Sequence, residues 1–377
     1  RKKSIKQAPR KKTLARAAPI ANKRLDADRT PIVAIPFDHK GAWVVRCPPG
    51  LGRTAVSEMV YRRVLSRDEK PVMLRQRNHD LVFVQAPLSG APWGQLRIAE
   101  EVYACIVFGR YKVSAGQLDT LAAALRLQGR TFRVIATADG SHFPRHEMGH
   151  WLAQELKARM VPINTDGRSA VHLFCVEEAY YVCLLQTTGA EALHRSERKV
   201  ERPGSLPPAI AAGIAFLGRP EASDIILDPV CGSGTLLAEA FAFAPEATFI
   251  GIDSDRGAVA AARQNLSHIP DLRVSFGDAV STELAAASVT LFLANLPFGK
   301  QFGDKPSNPQ LYRQFVTEMQ RLGSPGKWRA ALFTSDVESL ERVLKEAELG
   351  EEGRRIRIAV RGEWATLFLV SAARDER

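Results

Sequence analysis

An eight-residue segment carries the groups of a small-molecule binding loop. Residues 228–235 read Asp-Pro-Val-Cys-Gly-Ser-Gly-Thr and lie between a strand-like apolar segment and a helix-like one. Gly232 and Gly234 have no Cβ, so the backbone can approach a ligand closely. A helix that begins near Thr235 would turn its free N–H groups and its positive dipole end toward a carboxylate. We therefore predict a binding loop made of Asp228, Pro229, Cys231, Gly232, Ser233, Gly234 and Thr235.

Departures from two common motifs narrow down the ligand of this loop. A dinucleotide site has Gly or Ala at the third position of G-x-G-x-x-G/A, but this chain has Leu237 there. A phosphate-binding P-loop needs a lysine, and none follows Gly234. S-adenosylmethionine has no phosphate, and its methionine part offers a carboxylate and an ammonium group that Asp228 could face. We therefore predict S-adenosylmethionine as the cofactor.

Further carboxylates follow the next two predicted strands. Asp253 lies 25 residues after Asp228, close to the spacing at which an acidic residue accepts hydrogen bonds from ribose hydroxyls. Asp278 ends the third strand segment and is predicted to accept a hydrogen bond from the adenine amino group. Ser254 and Ala279 adjoin these carboxylates and belong to the same predicted cofactor site. Asp255 is predicted to cap the following helix instead.

A second turn offers the groups needed to handle a planar amine. The fourth strand, Val289–Ala294, runs into Asn295-Leu296-Pro297-Phe298. An exocyclic amine is a poor nucleophile because its lone pair is delocalised into the ring, so acceptors aimed at its N–H groups would promote attack on the sulfonium methyl. The Asn295 Oδ1 atom and the Leu296 carbonyl supply two acceptors, Pro297 stiffens the turn, and Phe298 offers a stacking face. We predict these four residues as catalytic, with Asn295 also bordering the cofactor.

The elements that must position these residues alternate regularly from residue 225 onward. Strand patterns at 225–227, 248–252, 272–276, 289–294 and 329–334 alternate with helical patterns. This alternation predicts an α/β, Rossmann-like, doubly wound parallel sheet, in which ligands bind at the carboxyl ends of the strands. Strand patterns at 355–359 and 365–370 add a C-terminal antiparallel hairpin.

The front half mixes strands and helices without that alternation, which predicts an α+β region. We divide the chain into a basic flexible tail (1–30), an N-terminal α+β region (31–193), a linker (194–206) and the doubly wound domain (207–377). The chain has a net charge of +11, and residues 1–30 hold eleven Lys or Arg against two Asp. This tail is either a solvated segment or an arm that contacts phosphates. In the linker, Arg195, Arg198, Lys199 and Arg202 are candidate phosphate contacts.

Several functional classes are excluded by composition. No run of 18 apolar residues occurs, so no membrane span is predicted. The five cysteines form no C-x-x-C pair, which argues against a zinc ribbon and fits a reducing compartment, so we expect a cytoplasmic protein. His142, His146 and His150 are spaced by four, but Pro144 separates the first from the helix, and no metal site is predicted. Nothing in the sequence indicates an oligomeric state.

Residues 225–299 resemble the amino-methylating class I methyltransferases, with their cofactor motif at Asp228–Thr235 and an Asn-Pro-Pro-Phe-like motif at Asn295–Phe298. The leucine variant of this motif, Asn-Leu-Pro-Phe-Gly, resembles the motif of the THUMP-domain RNA methyltransferases, which form N2-methylguanosine in tRNA. The front half also resembles the THUMP domain of that family, at residues 131–136, 145–160 and 170–185 and at the Leu-His-Arg of residues 193–195. The resemblance implies a seven-stranded catalytic sheet, preceded by ferredoxin-like and THUMP domains that hold tRNA while one flipped guanine is methylated.

Two other functions stay open at this point. The acceptor geometry at Asn295 suits any planar amine, so adenine-N6 of DNA or RNA, or a protein glutamine, is an alternative substrate. A non-catalytic RNA-binding protein is a second alternative, which the joint presence of cofactor and amine-binding residues disfavours.

Overall fold

The computed structural model describes residues 42–76, 78–84, 87–110, 113–138, 145–167, 169–176, 179–188, 200–296, 308–349 and 354–372. Several predicted features lie outside these residues. They are the basic tail, a strand predicted at 31–36, the linker residues Arg195, Arg198 and Lys199, and Pro297 and Phe298 of the catalytic turn. Within them, the strands form two sheets of seven strands each.

The front sheet is mostly antiparallel, and its strand order is β2-β3-β1-β4-β7-β6-β5. The strands are β1 (Trp43–Cys47), β2 (Val72–Arg75), β3 (Asp80–Val84), β4 (Glu101–Arg110), β5 (Phe132–Ala138), β6 (Ser169–Val176) and β7 (Ala179–Thr188). The helices are α1 (Gly52–Tyr61), α2 (Ala115–Arg126) and α3 (Arg145–Ala158). Strand patterns at 170–176 and 180–185 predict a hairpin, and the antiparallel pairing of β6 with β7 confirms it. Strand β4 pairs with both β1 and β7, so one continuous sheet joins the parts expected to be ferredoxin-like and THUMP-like.

The second sheet has the order β10-β9-β8-β11-β12-β14-β13. Its strands are β8 (Ile225–Asp228), β9 (Thr248–Asp253), β10 (Arg273–Phe276), β11 (Leu291–Asn295), β12 (Arg329–Thr334), β13 (Arg354–Val360) and β14 (Glu363–Ser371). Its helices are α4 (Pro208–Gly218), α5 (Thr235–Phe241), α6 (Arg256–Asn265), α7 (Asn308–Leu322) and α8 (Val337–Glu346). Strands β8 to β12 run parallel, and β14 pairs antiparallel with β12. The predicted doubly wound sheet with a C-terminal antiparallel hairpin is confirmed.

Apolar spacing explains how the helices cover this sheet. In α7 the buried side chains include Tyr312, Phe315, Val316 and Met319, which recur every three or four residues and so lie on one face. The N-terminus of α6 is capped by Asp255, whose Oδ1 accepts from the Gly257 and Ala258 N–H groups at 2.6 and 3.0 Å, as predicted. Such caps set where each helix begins relative to the strand before it.

The front sheet packs directly against the catalytic half. Leu51, which precedes α1, fills the space left by Gly213 of α4, where a Cβ would come within 2.7 Å of a Leu51 methyl carbon. The buried Glu58 carboxylate accepts from the Arg97 and Ile98 N–H groups at 2.8 and 2.9 Å. The Arg97 side chain then donates to Glu239 of α5 at 2.6 Å. These contacts join α1 and Arg97 to α4 and α5, and α5 begins where the loop at 228–235 ends.

Candidate active site

One cavity of about 480 Å³ opens at the carboxyl ends of β8, β9 and β11. Its lining includes most of the predicted cofactor residues: Asp228, Cys231, Gly232, Ser233, Thr235, Asp253 and Ser254. It also includes Asn295 and Leu296 of the predicted catalytic turn. Side chains separated by up to 68 positions in the sequence therefore border one space, because parallel strands bring their carboxyl ends to the same edge.

The loop at 228–235 turns sharply between β8 and α5. Gly232 and Gly234 have φ angles of 56° and 84°, in the region that favours glycine. A Cβ on Gly234 would come within 2.5 Å of Leu266, so a larger residue would also clash. The Cys231 N–H donates to the Ile252 carbonyl at 2.9 Å, which ties the loop to β9. Burial raises the pKa of the Cys231 thiol, so this cysteine packs as a neutral group.

Asp228 is a buried carboxylate without a cationic partner among the described residues. It is 1% exposed, and its Oδ1 accepts from the Val230 N–H at 3.2 Å. Burial raises the pKa of Asp228 well above its usual range, and the nearby Asp253 charge raises it further. A cationic group placed beside Asp228 would reverse this shift. The site therefore fits the ammonium group predicted for the ligand.

Asp253 lies across the loop from Asp228 and holds it in place. Its Oδ2 accepts from the Gly232 N–H at 2.8 Å, and its Oδ1 accepts from the Asp255 N–H at 2.9 Å. One carboxylate thus braces both the loop and the start of α6, and it borders the cavity.

Asn295 ends β11 and presents an unused acceptor. Its Oδ1 is buried and has no hydrogen-bond partner among the described residues. Buried polar atoms are nearly always paired, so an orphaned acceptor in a cavity wall indicates a site for a donor. The Leu296 N–H donates to the Phe333 carbonyl at 2.9 Å, and Leu296 is 3% exposed, so the backbone is fixed at this residue.

Four predicted cofactor residues, one of which is Gly234, do not line the cavity. Asp278 follows β10, is exposed, and accepts from the Val280 N–H at 3.1 Å. Ala279 packs against the apolar cluster that includes α7, and Pro229 is buried. Their roles stay predictions.

Part of the segment predicted to be a linker forms one wall of the cavity. Residues 202–206 line it, and we call residues 200–206 the strap. Asn265 of α6 holds the strap: its Oδ1 accepts from the Val200 N–H at 2.9 Å, and its Nδ2 donates to the Val200 and Ser233 carbonyls at 2.9 and 3.0 Å. The Ser205 hydroxyl lies 2.8 Å from that of Ser233. One buried amide thereby connects the strap to the binding loop.

Arg202 has a different partner from the one predicted. Its guanidinium forms an ion pair with Asp255 at 2.7 Å, at the rim of the cavity. It therefore anchors the strap to the N-terminus of α6. A phosphate contact by Arg202 stays a prediction.

The C-terminal hairpin completes the cavity, and sequence reasoning missed its contribution. Val360, Arg361, Glu363 and Ala365 line the cavity, as does Ser335 after β12. Arg361 donates to the Ser205 carbonyl at 3.2 Å, so the hairpin turn also contacts the strap. The sequence held one signal for this contribution. A strand that runs antiparallel to β12, as β14 does, must begin at the carboxyl edge of β12.

The described residues offer neither a metal site nor a membrane-spanning helix. No group of three His, Cys, Asp or Glu side chains there could hold a metal ion. None of the helices described is long and apolar enough to cross a membrane.

Comparison with known proteins adds to this geometry. A family model described as "RMKL-like, methyltransferase domain" matches residues 195–358. The tRNA (guanine(6)-N2)-methyltransferase of Thermus thermophilus is 31% identical over 241 residues, which are 61% of this chain and 70% of that protein. The mouse tRNA (guanine(6)-N(2))-methyltransferase THUMP3 is 30% identical over 197 residues, 48% of this chain but only 39% of the mouse protein. The crystal structure of TrmN from Thermus thermophilus superposes with a TM-score of 0.72 at 22% identity, covering 88% of this chain and all of that one.

The strand order and the cavity at the carboxyl edge define a class I methyltransferase domain. Since the Thermus relative is 31% identical along 70% of its length, the chain belongs to the THUMP-related family of S-adenosylmethionine-dependent methyltransferases that includes it. The resemblance identified from the sequence is thereby confirmed.

Proposed function

We propose that the chain transfers a methyl group from S-adenosylmethionine to the exocyclic amine of an RNA base, with N2 of a guanosine in tRNA as the target. The observation that carries this proposal is the unpaired, buried Oδ1 of Asn295 in the wall that also holds Asp228 and Asp253. An amine donor and a cationic methyl donor would meet complementary groups in one cavity.

The cofactor half of the proposal rests on the chemistry of the donor set. Asp228 would accept the ammonium group, and the free N–H groups at the start of α5 would face the carboxylate. Asp253 would accept from ribose hydroxyls, and Asp278 stays the proposed contact of the adenine amino group. When bound, S-adenosylmethionine supplies an electrophilic methyl group on a sulfonium. The strap and the hairpin turn would shield that group from water.

Asn295 and Leu296 would orient the attacking amine. The Asn295 Oδ1 and the Leu296 carbonyl accept from its two N–H groups, which increases electron density on nitrogen and directs its lone pair at the methyl group. The proton lost by the amine would leave through one of these acceptors to solvent. The role of Phe298 as a stacking face is part of the same proposal.

Relatives support the choice of RNA and of guanine. Both named relatives are tRNA (guanine(6)-N2)-methyltransferases, although the chain covers only 39% of the mouse protein. We propose that region 31–193 holds the RNA, that Arg195, Arg198, Lys199 and Arg202 contact its phosphates, and that the basic tail at 1–30 adds non-specific affinity. A cytoplasmic location is part of the same proposal.

Methyl transfer to mixed nucleic acids tests the proposal directly. The protein is incubated with methyl-labelled S-adenosylmethionine and with total tRNA, rRNA or DNA, and the labelled nucleosides are separated after digestion. Label in N2-methylguanosine from tRNA supports the proposal. Label in N6-methyladenine would overturn the choice of base, and label in no nucleic acid would overturn the activity. The Asn295→Ala variant is the control for contaminating enzymes.

A further inference from the structure

Trp364 is an exposed aromatic residue beside the candidate active site. It is the second residue of β14 and is 42% exposed. The strand-rich sequence of this part of the chain predicts a core position for Trp364, and the structure contradicts that prediction. Thr366 and Phe368 on the same face of β14 are buried, but Trp364 lies beyond Thr334, the last β12 residue paired with β14, so β12 does not reach it. Packing in the core therefore does not explain why a large aromatic ring lies at this position.

Two arginines from different parts of the chain surround the Trp364 ring. The guanidinium carbon of Arg357, on the paired strand β13, lies 5.2 Å from the ring centre. That of Arg75, on β2 of the front sheet, lies 6.0 Å away. Both distances exceed the 4.2 Å between Arg256 and the Phe276 ring, so neither guanidinium stacks tightly on the indole. We call Arg75, Arg357 and Trp364 the arginine–tryptophan patch.

The patch is positively charged and accessible. Residues 354–363 include four arginines and one glutamate. Arg357 is exposed, and the side chain of Arg75 is 59% exposed. Arg75 pairs with Asp80 at 3.1 Å, but the Asp80 side chain is only 5% exposed, so the carboxylate lies beneath the surface that a partner would meet. The surface therefore combines an aromatic face with two cations.

The position of the patch connects it to the proposed chemistry. Glu363 and Ala365, on either side of Trp364, line the cavity that holds Asn295. Thr366 pairs with Thr334 at the end of β12, so Trp364 lies beyond the strand end, at the same edge of the sheet as Asn295. Arg75 extends the patch onto the front sheet. The patch thus adjoins a residue of the cavity lining on one side and the front sheet on the other.

We propose that the arginine–tryptophan patch binds the RNA segment next to the target nucleotide, with a base stacked on Trp364 and phosphates on Arg357 and Arg75. The inference rests on the proposed function. A nucleotide turned out of its helix leaves a neighbouring base without a stacking partner, and an indole ring replaces that partner regardless of sequence. Arginine suits the flanking phosphates because its planar group forms paired hydrogen bonds with them.

Binding of unfractionated tRNA to single variants tests this site. We expect Trp364→Ala to weaken tRNA affinity about tenfold, equivalent to about 1.4 kcal/mol, and Trp364→Phe to restore most of it because phenylalanine still stacks. Arg357→Gln should lower the slope of log affinity against log salt by about one. Affinity for S-adenosylhomocysteine, measured by calorimetry, should stay unchanged in all three and shows that the variants are folded.

Matched controls lie at the opposite edge of the sheet. Tyr61 is a 60% exposed aromatic residue near Phe216 and Phe243, which lie where α4 and α5 end. Arg273 is exposed at the start of β10. Tyr61→Ala and Arg273→Gln should each change tRNA affinity less than twofold.

The outcomes separate this inference from the proposed function. If wild-type protein methylates tRNA but Trp364→Ala binds it as Tyr61→Ala does, the patch is not an RNA site. Equal salt slopes for Arg357→Gln and Arg273→Gln would also overturn it, as would an acidic peptide that binds the patch without competition from tRNA. A wild-type protein that neither binds nor methylates tRNA overturns the proposed function and this site together. Photo-crosslinking of bound tRNA to the Trp364 peptide would support the proposal independently.

Discussion

Two carboxylates flank the same short strand and have opposite surroundings. Asp224 immediately precedes β8, and Asp228 ends it. Asp224 accepts from Arg329 at 2.6 and 3.0 Å and from the Thr290 hydroxyl at 2.7 Å. Burial acts to raise the pKa of Asp224, but the hydrogen bonds from Arg329, Glu221 and Thr290 outweigh it and leave that pKa lowered. Burial raises the pKa of Asp228, which has one backbone donor.

The difference distinguishes a structural edge from a binding edge. At the amino edge, the ion pair of Asp224 and Arg329 is completed within the protein, and Arg329 also donates to the Gly218 carbonyl at 3.0 Å. At the carboxyl edge, Asp228 and the Asn295 Oδ1 are buried without the partners that their chemistry calls for among the described residues. Buried groups of this kind cost stability, and natural proteins keep them where a ligand completes them.

The largest expected effect concerns Asn295. Asn295→Ala should lower the turnover number for methyl transfer at least a hundredfold, because it removes an acceptor that orients the amine. Affinity for S-adenosylhomocysteine should change less than threefold, measured by calorimetry on the same preparation. A variant with more than a tenth of wild-type turnover would remove Asn295 from the catalytic assignment.

Arg329→Gln breaks the ion pair between Arg329 and Asp224 at the amino edge of the sheet. It leaves the Asp224 charge buried without its main partner, so we expect the free energy of unfolding to fall by about 3 kcal/mol, measured in urea. Turnover per folded molecule should stay within twofold of wild type. If turnover fell as it does in Asn295→Ala at unchanged stability, the contrast between the two edges would be wrong.

Asp228→Asn keeps the shape of the site and removes the charge. We expect affinity for S-adenosylmethionine to fall between ten- and a hundredfold, the effect of losing one charge-assisted contact to the ammonium group. Binding of 5′-methylthioadenosine, which lacks the amino-acid part, should be unchanged and serves as the matched control. An equal loss for both ligands would indicate general damage to the loop.

Asp228→Asn also changes how the stability of the protein depends on pH. Because the pKa of Asp228 is raised on folding, its ionisation removes stability as pH rises from about 4, the ordinary carboxyl value, through the folded pKa. Asp228→Asn should therefore gain stability relative to wild type over that interval. For Asp224 the sign is opposite, since its lowered pKa gives stability that is lost as pH falls. Urea unfolding at a series of pH values would show both trends.

The smallest effect is expected from loosening the strap. Asn265→Ala removes three hydrogen bonds that join Val200 to Ser233, so affinity for S-adenosylmethionine should fall about tenfold, about 1.4 kcal/mol. Turnover at saturating cofactor should remain near wild type, and hydrogen exchange at residues 200–206 should accelerate. Unchanged exchange would show that the strap is held by other contacts.

Sequence pattern was sufficient for the local parts of the site. The strand and helix periods from 225 onward and the cap at Asp255 follow from short-range rules, and the structure confirms both. It also brings Asp228, Asp253 and Asn295 to one cavity, as expected from the ends of parallel strands. In the front half, the pattern missed β2, a four-residue edge strand with mostly exposed side chains, because it has no buried face to create a period.

By itself, the sequence determined which side chains reach the carboxyl edge, because chain direction and strand period leave them no other place. Only the tertiary structure decided what surrounds them. Arg329 meets Asp224 across 105 residues, the strap is held by Asn265, and Trp364 faces outward although its strand is apolar on both faces. Each of these outcomes depends on packing between distant elements, whose geometry local propensities do not encode.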